Sequence, residues 1–454
     1  MIPTNLGTDK KSVFSWGLFM SLSMFGLMIG LLLLIVLTIR GMNLMVAGPL
    51  CALVVALTSG IPVFATDIEG QSNLVHSYMS GFSGFVQAWF LMFLLGSLFG
   101  KLMEDSGSAD SVSQWIVGKL GMKHAVLAIV FACAILTYGG VSLFVVAFSV
   151  YPMALSLFKQ ADLPRRFIPA TLAFGSVTFT MTSAGSPEVQ NWIPIKYLGT
   201  SPYAGWEVSI VVAIFMALFG FWWLRRMINK ALDKGEHFVE RSDDPETRET
   251  KLPPPVLSLI PLVLVLVSSF LLHEALKEYA LMVALLIGVL SCWAINHKYM
   301  HDLGKAINFG TTGALIAIGN TAAVVGFGSV AKATPAFTVA VEFMTNLPGN
   351  ELIGAAVAVS AIAGLTGSAS GGQAIALPIL APHYIDAGVD PEQLHRVVAI
   401  ASGALDSLPH NGYVVTTIRA ICGETHKDAY GPMGALTVVV PILGVILAIS
   451  LFLI

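Results

Sequence analysis

Residues 352–385 read LIGAAVAVSAIAGLTGSASGGQAIALPILAPHYI and contain no Asp, Glu, Lys or Arg. A helix that spans a bilayer needs about 20 apolar residues, so this run is too long for one straight spanning helix. Its middle, 366–372, consists of small and hydroxylated residues. Irregular backbone at membrane depth leaves amides and carbonyls unpaired, which is tolerated only where it lines a wet or ligand-filled cavity. The stretch therefore predicts a broken transmembrane helix beside a cavity.

A second run of the same design lies in the first half of the chain. Residues 124–158 also lack Asp, Glu, Lys and Arg, and small and hydroxylated residues interrupt them at 137–142. Each run ends at a short Asp/Pro loop. The two loop prolines, Pro164 and Pro391, are 227 residues apart, which is half of the 454-residue chain. This pattern predicts two structural repeats.

Two more features recur in both copies. Upstream of each run, a hydrophobic stretch ends in a polar or glycine-rich segment, at 104–108 and 326–329, and we expect these segments to be the tips of re-entrant hairpins. Downstream, a glycine-bearing helix ends in a polar breaker, at 182–187 and 406–411. Interrupted helices at matching places in two halves indicate a secondary-transporter site.

The composition of the whole chain indicates a membrane protein. Of its residues 56% are hydrophobic and 11% are charged, and the mean hydropathy is +0.79. Soluble domains carry about 25% charged residues, so a soluble enzyme, a nucleic-acid-binding protein and a disordered scaffold are excluded. The net charge of −3 offers no basic surface for nucleic acid. The predicted fold class is an all-α polytopic membrane protein.

The charges between the apolar runs indicate that the two repeats are inverted. The loop 159–166 carries three basic residues, whereas its counterpart 386–396 carries three acidic residues and one arginine. Cytoplasmic loops are enriched in Lys and Arg. We therefore predict a first transmembrane repeat at 1–224, a charged cytoplasmic linker at 225–255 and a second transmembrane repeat at 256–454.

Three motifs resemble those of the gluconate permease (GntP) family. They are the run Gly96–Gly107, the segment Gly367–Gly372 followed by two prolines, and Ser402–Gly412 with its His-Asn pair. The resemblance implies an ion-transporter architecture of two inverted repeats with re-entrant hairpins and broken transmembrane helices. It also implies cation-coupled symport of a small hydroxylated monocarboxylate across the bacterial inner membrane.

The chain departs from the gluconate branch at two places. Gly139 stands where those members carry a glutamate, and Thr182–Pro187 replaces their His- and Pro-rich breaker. An unpaired hydroxyl in a closed site costs about 1–3 kcal/mol, so the loss of these polar groups favours a substrate with fewer hydroxyls. The first expectation is 3-hydroxybutyrate, and proton-coupled uptake of gluconate or a related sugar acid is the alternative.

We expect no Lys or Arg inside the long spans near either break. Backbone amides and hydroxyls are therefore predicted to bind the substrate. Amides at helix N-termini bind anions, and Tyr138 and Asn411 could bind the substrate's own hydroxyl. The predicted substrate-binding residues are Ser106, Gly107, Tyr138, Gly139, Gly140, Ser142, Ser329, Thr366, Ser368, Ser370, Gly371, Gly372, His410 and Asn411.

The coupling ion is left open between Na+ and H+. Sodium needs oxygen ligands, which unwound carbonyls and hydroxyls supply, and it would neutralise the bound carboxylate. The sodium candidates are Thr137, Gly139, Gly367, Ser368 and Ser370. A proton would need a titratable group in the cavity. The main proton candidates are His410 and Asp406, followed by Glu188 and Asp105.

No cofactor, no nucleic-acid partner and no enzymatic activity are expected. The available nucleophile and base, Ser368 or Ser370 with His410, lack a GxSxG or HExxH motif. The expected partners are the lipid bilayer and a small carboxylate. The small-residue faces of 41–66 and 276–297 would allow a homodimer.

Overall fold

The computed structural model describes residues 10–40, 42–64, 72–121, 124–241, 251–345 and 349–454, and every regular element in these ranges is helical. Eight helices there are long and apolar enough to cross a bilayer. The first half contains α1 (Lys10–Ile39), α2 (Leu44–Thr58), α3 (Leu74–Asp105), α4 (Ser108–Leu120), α5 (Ala125–Tyr138), α6 (Leu143–Gln160), α7 (Ile168–Ala173), α8 (Ile193–Leu198) and α9 (Trp206–Leu232). The second half contains α10 (Pro255–Leu276), α11 (Ala280–Asn296), α12 (Leu303–Lys332), α13 (Pro335–Thr345), α14 (Glu351–Thr366), α15 (Ala369–Asp386), α16 (Pro391–Ser402), α17 (Gly412–Val415), α18 (His426–Gly434) and α19 (Val440–Phe452).

The helix boundaries repeat with the spacing found in the sequence. α3 ends at Asp105 and α12 ends at Lys332, which are 227 positions apart. Gly140 and Gly367 have the same separation, and both adopt positive φ, at 92° and 61°. Glycine populates this region readily because it has no Cβ. The same kind of turn is therefore built at equivalent places in both halves.

The equivalent helices α3 and α12 run antiparallel. Near the start of α3 the Tyr78 hydroxyl donates to Ala323 O at 3.1 Å, and near its end the Ser97 hydroxyl donates to Gly310 O at 2.7 Å. Residue numbers therefore fall along α12 as they rise along α3. Equivalent helices of opposite direction are related by an axis in the membrane plane, so the two repeats are inverted, as predicted.

The re-entrant hairpins are α5–α6 and α14–α15, where the sequence predicted broken helices. A Cβ built on Gly372 would lie 2.6 Å from Ala363 Cα, so α15 folds back against α14, and α5 and α6 are likewise in contact. The first arms contain 14 and 16 residues. At 1.5 Å per residue they reach about 21 and 24 Å, less than the hydrocarbon core of about 30 Å.

The broken helices follow these hairpins. α7 continues into a π-helical turn, Phe174–Thr178, and then into irregular backbone, and α16 ends in irregular backbone from Gly403 to Asn411. The polar breakers predicted at 182–187 and 406–411 are therefore confirmed. The two irregular segments touch, since a Cβ built on Gly403 would lie 3.2 Å from Thr182 Cγ2.

The predicted hairpin tips at 104–108 and 326–329 are wrong. α12 continues without interruption through 326–329 to Lys332, and its glycines allow close packing, with Gly326 against Tyr78. At 104–108 the chain turns from α3 into α4, but the turn lies against Leu252 and Pro253, just before α10, instead of forming the tip of a hairpin. Small residues at a helix–helix contact resemble small residues at a break, which explains the error.

The predicted linker at 225–255 is only partly a solvated loop. The helix α9 extends into the first part of this segment and ends at Leu232. Residues 236–241, which we call the strap, contact both halves: Arg166 donates to Glu236 at 2.6 Å, and Arg241 lies 3.0 Å from Glu424. Residues 242–250 of this linker lie outside the described part of the chain. The cytoplasmic placement of the linker stays a prediction.

The small-residue faces that suggested a homodimer pack against other helices of the same chain. Gly48 of α2 packs against Ala323 of α12, and Gly288 of α11 packs against Val265 of α10. The described parts of 41–66 and 276–297 therefore do not leave these glycines free for a second copy. A homodimer stays a prediction without that support.

Candidate functional site

The tip of the first hairpin contacts the first helix break. The Tyr138 hydroxyl donates to Ala184 O. A Cβ built on Gly140 would lie 3.6 Å from Pro187 Cγ, so the glycine turn packs directly on the breaker. The predicted residues Tyr138 and Gly140 are thus placed beside unwound backbone, as the sequence indicated.

The tip of the second hairpin closes on the second break in the equivalent way. Asn411 Nδ2 donates to Gly367 O at 2.9 Å, and Asn411 Oδ1 accepts from Val414 N at 3.0 Å. His410 lies against the same glycine, because a Cβ there would be 2.8 Å from His410 Cδ2. Each end of the Asn411 amide makes one hydrogen bond in this conformation, so the side chain orders the break. Its predicted contact with a substrate hydroxyl stays a prediction.

The N-terminus of α15 satisfies its own amides. Gly371 N donates to Ser368 Oγ at 3.1 Å, and Gly372 N donates to Ser368 O at 2.8 Å. In this conformation both amides are therefore paired within the first turn of α15, and their predicted role in binding a carboxylate stays a prediction. Ser370 remains beside the tip with its hydroxyl 3.4 Å from that of Ser368, and Thr366 donates back into its own helix.

A fully buried arginine from the second half lies against the first break. Arg396, on α16, has an exposed fraction of 0%. Its Nε donates to Ala204 O at 2.9 Å, and its Nη1 donates to Thr182 O at 2.7 Å and to Asn191 Oδ1 at 3.0 Å. Its Nη2 donates to Pro202 O at 3.3 Å. One side chain thus holds the irregular backbone that follows the first broken helix.

All four acceptors of Arg396 are neutral oxygens, and none of its contacts among the described residues is with a carboxylate. It precedes Gly403 by seven residues, about 10 Å along a helix, and Tyr138 lies within its electrostatic range. A charge inside the membrane without a counter-ion is costly and marks a functional site by default. The guanidinium therefore creates a positive region where both breaks meet.

The expectation that no basic side chain lies near either break is wrong, and Arg396 is the functional candidate that sequence reasoning missed. It was counted with the charges of the loop 386–396. The available signal was its position five residues beyond Pro391, which begins α16 after the N-cap Asp390. A residue more than one turn inside a helix that runs into the membrane is buried with it.

Three predicted site residues lie elsewhere. Ser329 lies in the α3–α12 contact near the end of α12, where a Cβ on Gly81 would lie 2.1 Å from its Oγ. The hydroxyls of Ser106 and Ser108 are hydrogen-bonded to each other at 2.7 Å, and Gly107 forms the turn between α3 and α4. The structure therefore places Ser106, Gly107 and Ser329 away from both hairpin tips.

The titratable candidates separate into two groups. Asp406 is 5% exposed in the second break, where Ser407 Oγ donates to its Oδ1 at 3.0 Å, and no salt bridge among the described residues includes it. Glu188 follows the first break and is half-buried. Asp105, in contrast, accepts from His301 N at 3.1 Å at the end of α3 and lies outside the site.

A second buried arginine lies near the start of the other broken helix. Arg165 Nε donates to Glu424 Oε1 at 2.9 Å, and the two side chains are 7% and 5% exposed. Arg241 of the strap lies 3.0 Å from the same carboxylate. This cluster joins the two halves and the strap at one place.

The strap is also attached to the loop before the first broken helix. Asp162 Oδ1 accepts from Phe238 N at 3.1 Å, and Asp162 Oδ2 lies 2.8 Å from His237 Nδ1. The hydrogen bond from Phe238 and then that from His237 lower the pKa of the Asp162 carboxyl, because both stabilise its charged form. The strap therefore favours an ionised aspartate in this loop.

Comparisons with known proteins agree with this architecture. The profile of the family described as "CitMHS: Citrate transporter" matches residues 14–299. An uncharacterized transporter of Bacillus subtilis, YxjC, is 34% identical over 447 residues, which covers 88% of this chain and 92% of that protein. A high-affinity gluconate transporter of Escherichia coli is 28% identical over 147 residues, 32% of this chain and 31% of that protein.

A solved structure supports the fold independently of sequence. The YdaH transporter of Alcanivorax borkumensis, whose crystal structure was described as having an unusual topology, aligns with 95% of this chain and 98% of its own, with a TM-score of 0.52 and 13% identity. At this identity the likeness concerns the fold alone. The family profile and the sequence relatives identify an integral membrane transporter and not an enzyme. The chain belongs to the citrate transporter (CitMHS) family.

Proposed function

We propose that the protein carries a small hydroxy monocarboxylate, with 3-hydroxybutyrate as the first candidate, into the cell by symport with a cation. The observation that carries this proposal is Arg396, a fully buried guanidinium at the first break whose described partners are all neutral. An anion that enters between the breaks would gain the charge compensation that the protein itself does not supply. The bacterial inner membrane is the proposed location.

One buried positive charge fits one carboxylate. A citrate trianion, suggested by the description of the family, would bring three negative charges to a site with one described guanidinium. The wall near the first tip is also apolar, because a Cβ built on Gly139 would lie 2.6 Å from Leu262 Cδ2. A substrate with few hydroxyls leaves fewer groups unpaired against such a wall. Gluconate, which relatives of this chain carry by name, is the alternative.

Sodium is the coupling ion that we propose, with protons as the alternative. Sodium is not needed to neutralise the carboxylate, since Arg396 supplies a positive charge. What supports sodium is the set of hydroxyls and carbonyls at the hairpin tips, including Ser368 and Ser370. Asp406, buried in the second break without a described basic partner, supports the proton alternative together with His410.

The test is uptake of labelled 3-hydroxybutyrate into proteoliposomes under separately imposed sodium and proton gradients, with gluconate and citrate as competitors. We expect accumulation driven by sodium and weak competition by either competitor. Counterflow of label against unlabelled substrate would distinguish a carrier from a pore. Uptake of gluconate or citrate alone would contradict the substrate assignment. Accumulation driven only by protons would contradict sodium coupling and favour Asp406 and His410 as the coupling groups.

A further inference from the structure

The end of α9, one of the helices long enough to cross the bilayer, carries basic side chains on the outside of the protein. Its buried face consists of Leu224, Ile228 and Ala231. Its basic residues there are exposed: Arg225, Arg226 and Lys230. They follow Trp222, which is 54% exposed. Because aromatic side chains at the end of a spanning helix mark the level of the lipid headgroups, the basic face points outwards where α9 leaves the bilayer.

No carboxylate neutralises these three side chains among the described residues, since none of the ion pairs found there includes them. Carboxylates are nearby in the chain, because the strap begins four residues after the end of α9. Glu236 of the strap, however, pairs with Arg166, and Glu240 pairs with Lys159. The strap therefore neutralises the loop 159–166 and leaves the end of α9 positive.

The basic side chains surround a cavity on the protein surface, with a volume of about 440 Å³. It is bordered by Trp222, Arg225, Arg226, Asn229, Lys230 and Asp233. This border carries three positive charges and one negative charge. Arg226 and Lys230 are four residues apart and are therefore neighbours on the helix, where like charges destabilise it. An anion in the cavity would relieve this repulsion.

We propose that this cavity binds the phosphate headgroup of an anionic phospholipid. Arg225 and Lys230 would hold the phosphate, since guanidinium and ammonium groups both bind phosphate oxygens, and the Asn229 amide adds a donor between them. Basic segments just outside a spanning helix attract anionic lipids. The site therefore ties the end of α9 to the charged surface of the bilayer.

A lipid covers more of this surface than a soluble anion does. The Arg226 guanidinium lies 5.8 Å from the centroid of the Trp222 ring, so a phosphate held by the basic side chains stands beside an exposed indole. The acyl chains of a lipid would cover that indole, whereas a free phosphate would leave it uncovered. This difference favours the lipid as the occupant.

The cavity lies at the opposite end of α9 from the proposed substrate region. A Cβ built on Gly205, just before α9, would lie 3.1 Å from Arg396 Cβ. Arg225 follows 20 residues later, about 30 Å along the helix. A lipid at the end of α9 would therefore not compete for the substrate's carboxylate, and the inference does not rest on the proposed function.

The test is native mass spectrometry of the purified, delipidated full-length protein, titrated with phosphatidylglycerol or with phosphatidylcholine of the same acyl chains. We expect the wild type to bind phosphatidylglycerol at least tenfold more tightly than phosphatidylcholine. Arg225→Gln/Lys230→Gln should bind phosphatidylglycerol at least fivefold more weakly than the wild type. The matched control is Lys298→Gln/Lys332→Gln, which removes two exposed lysines without a described ion pair just after α11 and at the end of α12. It should bind both lipids like the wild type.

A second measurement locates the bound lipid. Phosphatidylglycerol with brominated acyl chains quenches nearby indoles, so at one bound lipid per protein it should quench the wild type more strongly than Trp222→Phe. This comparison also applies if Arg225→Gln/Lys230→Gln does not fold. Equal affinity of the wild type for the two lipids, equal losses in the two double variants, or equal quenching of the wild type and Trp222→Phe would overturn the proposal. Displacement of the lipid by millimolar inorganic phosphate would assign the cavity to a soluble anion instead.

Discussion

The two buried arginines near the starts of the broken helices differ in the charge of their partners. Arg165 donates to the carboxylate of Glu424 at 2.9 Å, and both side chains are buried. Arg396 is as deeply buried, but its described acceptors, such as Thr182 O and Asn191 Oδ1, are neutral. The first charge is neutralised within the fold and joins its two halves. The second has no carboxylate partner among the described residues, which is the basis of the functional proposal.

The largest effect is expected from Arg396→Gln. This change removes the positive charge at the break. Losing one partner of a buried charge pair costs about 2–5 kcal/mol, so uptake of 3-hydroxybutyrate should fall at least about 30-fold. The measurement is initial uptake into proteoliposomes at matched protein content. The control is Arg226→Gln, which removes a surface arginine that lies over the ring of Trp222. Equal uptake by both variants would refute the contrast between the two arginines.

Asn191→Asp would give Arg396 the carboxylate partner that Arg165 already has. Asn191 Oδ1 accepts from Arg396 Nη1 at 3.0 Å, so the new charge would stand in direct contact with the guanidinium. We expect uptake to fall about tenfold or more, because an internal counter-ion competes with the substrate. Asn191→Ala is the control, since it also removes the donor to Pro202 O but adds no charge. The prediction fails if Ala impairs uptake more than Asp.

Glu424→Gln would remove the partner of Arg165 and thereby make the two arginines alike. Breaking a buried pair from one side costs about 3–5 kcal/mol, so the folded protein should unfold at a clearly lower temperature while the affinity for substrate changes little. The control is Glu236→Gln, which breaks a more exposed pair with Arg166 worth about 0–1 kcal/mol. Indistinguishable unfolding midpoints for the two variants would count against a structural role for Glu424.

The smallest effect concerns pH at the strap. The pKa of Asp162 is lowered in the folded protein, chiefly by the hydrogen bond from Phe238 N. Its contribution to stability is therefore fully present above the unfolded pKa of about 3.9 and is lost as the pH falls through the folded value. The wild type should be slightly more stable than Asp162→Asn at pH 6, and the two should converge towards pH 3. A difference that does not depend on pH would contradict this account.

The repeat could be predicted because its signals are local. A turn at positive φ requires glycine at Gly140 and Gly367, and polar breakers mark backbone that leaves the helix. Both features are visible in a single sequence at the spacing of 227. The inversion also followed from the sequence, because loop charges record the side of the membrane.

Whether each interrupted run is a re-entrant hairpin or a broken helix could not be predicted in the same way. A hairpin and a broken helix are both long apolar runs with small residues in the middle, and only the contact of Ala363 with Gly372 shows that the second run folds back. The role of Arg396 depends on acceptors such as Thr182 O and Ala204 O, about 200 positions away in the chain. Neither contact has a local signal.

The most direct test is equilibrium binding of 3-hydroxybutyrate and of its uncharged analogue 1,3-butanediol to the purified wild type and to Arg396→Lys. Lysine keeps the charge but lacks the fork of donors that holds a carboxylate and the break together. We expect the acid to bind to the wild type, the diol not to bind, and Arg396→Lys to bind the acid at least tenfold more weakly. Equal binding of the acid by both proteins, or equal binding of acid and diol by the wild type, would contradict the claim that Arg396 receives the substrate's carboxylate.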